Sequence, residues 1–112
     1  LGDVYKRQVF TIDPYLFELI LKNLLRNAIQ HAPENSKIFI KTDENQLLIS
    51  NAGAELDFPP EKLFKRFVKR KSNGETLGLG LALVKKICDL NNLQIDYQYQ
   101  DGQHVFRVWK SS

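Results

Sequence analysis

Asn23-Leu24-Leu25-Arg26-Asn27-Ala28-Ile29 lies inside a segment that opens at Asp13-Pro14 and meets Pro33 at its far end. Asp13 suits an N-cap and Pro14 the first helical position, so a helix is predicted from there to about Ala32, where Pro33 stops it. At about 100° per residue, Asn23, Asn27 and Gln30 share one stripe that continues the line of Leu16, Leu19 and Ile20. Phe17, Leu21, Leu24, Leu25 and Ala28 supply the expected core face, with Lys22 and Arg26 toward solvent. Asparagine is a modest helix former, and two of them four apart beside a core face need polar partners or a water-lined cavity. An amide oxygen there can ligate Mg²⁺ and the amide donors can meet phosphate oxygens. Two solvent-exposed asparagines near a helix end would read the same way.

Working outward, Gly78-Leu79-Gly80 precedes a second apolar helix, expected from about Leu79 to Asn91 with Leu79, Leu83, Val84, Ile87 and Leu90 at helical spacing. Glycines let a backbone approach an anion, and the free N–H groups of a helix start can bind it. A tight turn into a core helix explains the same residues. The third glycine and preceding strand of a dinucleotide fingerprint are missing, and so is the Gly-Lys-Ser/Thr of a P-loop. Between the helices, Lys37 to Thr42 and Gln46 to Asn51 read as a hairpin, and Asn51-Ala52-Gly53 leaves the second strand where a ligand edge could be read. Pro59-Pro60-Glu61 opens a short helix carrying Leu63, Phe64 and Phe67. Val68 to Thr76 is almost devoid of apolar residues and reads as a mobile surface loop, with Lys65, Arg66, Lys69, Arg70 and Lys71 clustered around it. Strands are expected at Val9 to Ile12, Leu93 to Gln100 and Gln103 to Trp109, the last two joined at Asp101-Gly102. The sum is an α+β fold, a mixed and mostly antiparallel sheet with about three helices on one face.

Composition narrows the function classes. The chain has 112 residues, 43% hydrophobic and 26% charged, enough for one domain with its own core. No apolar run approaches the roughly 20 residues of a spanning helix, so a soluble domain is expected. Sixteen Lys and Arg against 13 Asp and Glu give a net charge of +3, too mild for a dedicated nucleic-acid binder. The single cysteine, Cys88, excludes an intrachain disulfide and a cysteine-built zinc site, and reads as a small core residue.

Taken in order, these segments resemble the ATP-binding domain of bacterial sensor histidine kinases, a Bergerat-type two-layer α/β sandwich shared with gyrase, chaperone and mismatch-repair ATPases. The resemblance covers residues 9–110, with 111–112 as a tail, while Leu1 to Gln8 resembles an adapter-derived leader. Asn23 to Ile29 looks like the N box, Asn51-Ala52-Gly53 the first glycine box, Leu63-Phe64-Lys65-Arg66-Phe67 the F box, and Gly78 to Val84 the second glycine box. The resemblance implies that Asn27 ligates Mg²⁺ bridging the ATP phosphates, that Asn23 supports the phosphates and that Asn51 hydrogen-bonds the adenine beside Gly53. It further implies a short lid over Val68 to Leu77, with Arg70 and Lys71 as its cations, and phosphate contacts from Gly78, Leu79 and Gly80. His31 falls where an aromatic residue is frequent and is expected to meet the nucleotide. Departures from the pattern are Asn51 for the usual Asp, Gln30 where a phosphate-binding cation is usual, Glu55 for a glycine of the first glycine box and Thr76 for one of the second.

The reaction implied is transfer of the ATP γ-phosphoryl group to a histidine nitrogen. Neither His31 nor His104 matches the acceptor, which in the family sits on an upstream dimerisation domain, so the fragment alone is not expected to autophosphorylate. A response regulator, a homodimeric parent anchored in the bacterial inner membrane and a cytoplasmic location for this domain are the remaining implications. The alternatives are an anti-sigma-type serine kinase of the same fold and a degenerate, non-catalytic interaction module, the latter suggested by positions 30, 51, 55 and 76.

Overall fold

A computed structural model describes residues 12–43, 45–65, 68–69, 76–77 and 79–111. Helix α1 spans Pro14–His31 and α2 spans Leu79–Leu90; the strands are β1 Ile38–Thr42, β2 Gln46–Ala52, β3 Val68–Lys69, β4 Thr76–Leu77, β5 Leu93–Gln100 and β6 Gln103–Lys110. The main sheet has the order β1-β2-β6-β5 with every described pairing antiparallel, and β3 pairs with β4 in a separate ladder. The expected strand at Val9 to Ile12 lies, apart from Ile12, outside the described residues, as do Arg66 and Phe67.

Local chemistry accounts for the element ends. Asp13 caps α1 through Oδ1, which accepts from the Tyr15 N–H at 2.7 Å. Ala32 turns to ψ 142° ahead of Pro33. Asp43 Oδ1 accepts from the N–H groups of Asn45 and Gln46 and closes the β1–β2 hairpin. Asp101 and Gly102, with φ of 52° and 75°, make the two-residue turn between β5 and β6.

The structure refines several expectations. The third helix is only a 3-10 turn, Pro60–Lys62, with Pro59 as its N-cap and Leu63, whose N–H bonds to the Pro60 carbonyl, as its C-cap. The ends of the expected loop at Val68 to Thr76 pair as β3 and β4. In α1 the deepest line is Ile20, Leu24 and Ala28, each at most 1% exposed, while Phe17 and Leu21 pack at its flank. In α2 the buried line is Leu81, Val84, Ile87 and Cys88, while Leu83 and Leu90 are exposed.

Both helices cover one face of the sheet. Opposed residues of antiparallel strands project to the same side, so the register stacks that face in rows: Leu47, Val108 and Ile95, then Ile49, Phe106 and Tyr97, then Asn51, His104 and Tyr99. The first two rows, with the helix lines above, form the hydrophobic core. On the other face the Arg107 guanidinium lies 4.1 Å from the Trp109 ring centroid and 3.3 Å from Asp96 Oδ2. No helix among the described residues is long and apolar enough to cross a membrane.

Candidate functional site

The third row of the sheet opens into a cavity of about 180 Å³ lined by Asn27, His31, Asn51, Leu63, Tyr97, His104 and others. Its walls come from the last turns of α1, the end of β2, the segment after the 3-10 turn, and the β5–β6 hairpin. Asn27 and His31, one turn apart on α1, and Asn51 at the end of β2 therefore converge on one space.

Helical phase explains which α1 residues reach it. Asn23 and Asn27 each precede a buried residue, Leu24 and Ala28, by one position, about 100° round the axis, so both are half-buried at the margin of the core. Gln30 lies two positions beyond Ala28, about 200° round, and is exposed; it is not among the residues lining the cavity. Asn23 donates from Nδ2 to the Leu19 carbonyl at 2.7 Å, which turns Oδ1 toward α2. A Cβ on Gly80 would stand 2.9 Å from that oxygen, so glycine permits the two helices to meet at this point. Asn23 and Gly80, singled out separately in the sequence, thereby lie side by side.

Asn51 is 2% exposed, and its Nδ2 donates to the Ala52 carbonyl at 2.9 Å. Gly53 follows, its N–H bonded to the Gly102 carbonyl, and a Cβ there would come within 2.9 Å of the His104 ring. Tyr99 donates its hydroxyl to the Gly53 carbonyl at 2.8 Å. Tyr97 OH and His104 Nδ1 are 2.6 Å apart. Burial, with smaller contributions from Tyr99 and Glu55, pushes the Tyr97 phenol up to about 12. Leu63 is buried and Phe64 meets Phe106 edge-on at 6.1 Å between ring centroids. Glu55 lines a neighbouring cleft of about 560 Å³ that shares Leu56 and Tyr97 with the first cavity. Leu79 is the first residue of α2; Arg70, Lys71 and Gly78 lie outside the described residues.

Sequence reasoning missed the aromatic floor of Tyr97, His104 and Phe106. Alternation along β5 and β6 places these side chains on the core face, but the pairing of Asn51 with His104 joins strands far apart in sequence and carries no local signal.

Residues 12–111 match the model of a family described as histidine kinase-, DNA gyrase B- and HSP90-like ATPase. The chain belongs to that family. Sensor histidine kinase HprS of Escherichia coli (strain K12) is 38% identical over 109 residues, which cover 91% of this chain and 24% of that protein. Sensor protein BasS of the same organism is 31% identical over 101 residues, 87% of this chain and 28% of its own length. The catalytic domain of histidine kinase ThkA, in a nucleotide-free form, superimposes with a TM-score of 0.68 at 29% identity, covering 86% of this chain and 66% of that one. The chain thus spans about a quarter of these sensor proteins and corresponds to the ATPase domain of sensor histidine kinases. The serine-kinase and degenerate-module alternatives are not favoured by these relatives.

Proposed function

We propose that this domain binds ATP with Mg²⁺ in the cavity between α1, the end of β2 and the β5–β6 hairpin, and that the longer protein uses it to phosphorylate a histidine on an upstream dimerisation domain for transfer to a response regulator. The observation that carries the reading is the convergence of Asn27, His31 and Asn51 on one cavity, with Asn23 against Gly80 at its side. The residues present suit the ligand. No carboxylate is among those lining the cavity, so nothing described there repels a polyphosphate, and Asn27 offers a neutral oxygen of the kind Mg²⁺ accepts. Bound Mg²⁺ would neutralise charge on the phosphates during in-line transfer.

The chain's own groups then divide the work. Asn27 holds the metal and Asn23 supports the phosphates. Close approach at Gly80, with Gly78 and Leu79, brings backbone N–H groups of the α2 start to the anion. Arg70 and Lys71 supply cations from the lid, which matters more here because Gln30 brings none. Asn51 Oδ1 accepts from the adenine amino group, a neutral hydrogen bond weaker than a carboxylate would make. His31 covers the nucleotide from the end of α1. The wider protein is a homodimer anchored in the bacterial inner membrane, with this domain on the cytoplasmic side.

Isothermal titration with a non-hydrolysable ATP analogue tests the reading. Saturable binding strengthened by Mg²⁺ is expected, and Asn27→Ala should abolish the Mg²⁺-dependent part while changing stability by less than about 0.5 kcal/mol, since alanine is the better helix former. Equal affinity of wild type and Asn27→Ala would remove the assigned role.

A further inference from the structure

The chain that leaves β2 crosses the turn end of the β5–β6 hairpin on its way to the 3-10 turn, and on that path Ala54 and Leu56 wall the nucleotide cavity. Between described residues, no backbone–backbone hydrogen bond ties Ala54 to Phe58 to the sheet or to one another, so no ladder holds this wall. It is fixed at its ends instead. Phe58, 8% exposed, belongs to the core, and Leu56 packs against it. At the other end Gly53 is held on both sides: its N–H donates to the Gly102 carbonyl at 3.2 Å, and its carbonyl accepts from the Tyr99 hydroxyl at 2.8 Å. Tyr99 reaches it from β5, two places from β2 in the sheet, with its ring 4.9 Å from that of His104. The Gly53 carbonyl and the Ala54 N–H belong to one planar peptide, so gripping that oxygen sets the direction in which the chain leaves for Ala54. Gly53 is also enclosed, by the His104 ring and the His31 carbonyl, which lie 2.9 and 3.7 Å from where a Cβ would stand.

We infer that Tyr99 is a positioning residue for nucleotide binding: its hydroxyl latches the Gly53–Ala54 peptide and so presets the wall made by Ala54 and Leu56. This rests on the nucleotide reading above. Tyr99 is not among the residues lining the nucleotide cavity but lines the neighbouring cleft, so it acts through Gly53 and not on the ligand. With the hydroxyl removed, the Gly53 carbonyl turns to water and its peptide is free to rotate. Part of the interaction energy of the ligand then goes into ordering the wall, which lowers affinity without removing a contact to the nucleotide.

Tyr99→Phe in the 112-residue chain keeps the ring beside His104 and deletes only the hydroxyl. Its affinity for a non-hydrolysable ATP analogue should fall about three- to tenfold, by the same factor with and without Mg²⁺, whereas Asn27→Ala loses the Mg²⁺-dependent part. Leu47→Ala, destabilised through the core, should keep wild-type affinity in its folded fraction, so a loss in Tyr99→Phe is not a loss of stability alone. Nuclear spin relaxation without nucleotide should give the Ala54, Glu55 and Leu56 amides of wild type order parameters near the ~0.85 of rigid backbone, falling toward ~0.6 in Tyr99→Phe while those of β6 stay unchanged. Wild-type affinity in folded Tyr99→Phe overturns the inference, and so do unchanged order parameters. If that variant does not fold, wild type decides, and order parameters near ~0.6 at Ala54 to Leu56 overturn the latch. Wild type that binds no analogue overturns the nucleotide reading, an outcome told apart from failure of the latch by the order parameters, which need no ligand.

Discussion

Leu47, Val108 and Ile95 at one end of the inner sheet face, and Asn51, His104 and Tyr99 at the other, are built alike: three opposed residues on β2, β6 and β5, two rows apart. The first row lies under the buried lines of α1 and α2 and is part of the dry core, with Leu47 and Val108 at 0% exposure. The second lies beneath the asparagine margin of α1 and opens to the cavity. Backbone geometry is the same at both ends, so the difference lies in side chains and in what covers them. A regular ladder holds polar groups in register with apolar ones, and the stability of one end positions the chemistry of the other.

The largest effect that would sharpen this contrast is at the dry end. Leu47→Ala should cost about 2–5 kcal/mol in a denaturant titration, through lost burial and a residual cavity, while the folded fraction keeps wild-type nucleotide affinity. A matching loss of affinity would mean that the two ends are not separable. At the polar end Gly53→Ala should cost about 1–3 kcal/mol, because the new Cβ meets a His104 ring that Tyr97 and Tyr99 hold in place. Affinity for the ATP analogue should fall as well, and a variant neutral in both respects would show the aromatic floor to be soft.

The smallest effect is alkaline. Burial, with Asp89 adding to it, raises Cys88 from 9.0 to about 11, and Tyr97 rises from 10.0 to about 12. Between pH 9 and 12 the unfolded chain has released protons that the folded chain still holds, so stability is complete below about pH 9 and declines as pH rises through the folded values. Thermal melts at stepped pH should show Cys88→Ala flattening the lower part of that decline and Tyr97→Phe the upper part. A wild-type melting temperature constant from pH 8 to 11 would contradict the burial of Cys88 as the source.

Much of this was legible in the residues. Asp13-Pro14 and Pro33 bracket α1, Asp101-Gly102 sets the last hairpin, and alternation along Gln103 to Trp109 marks a half-buried strand, because caps, turns and periodicity are local physics. The 3-10 turn after Pro59 and the exposure of Leu83 and Leu90 were not, since how long a helix runs and which side of an apolar stripe is covered depend on the neighbours it meets.

By itself the sequence determined the alternation of helices and hairpins, the pair of asparagines on α1 and the glycines at the start of α2, all set by interactions within a few residues. Only the tertiary structure decided that Asn51 faces His104 and that Gly80 admits Asn23, because each depends on strand or helix pairing across long separations, where register rather than composition chooses the partner.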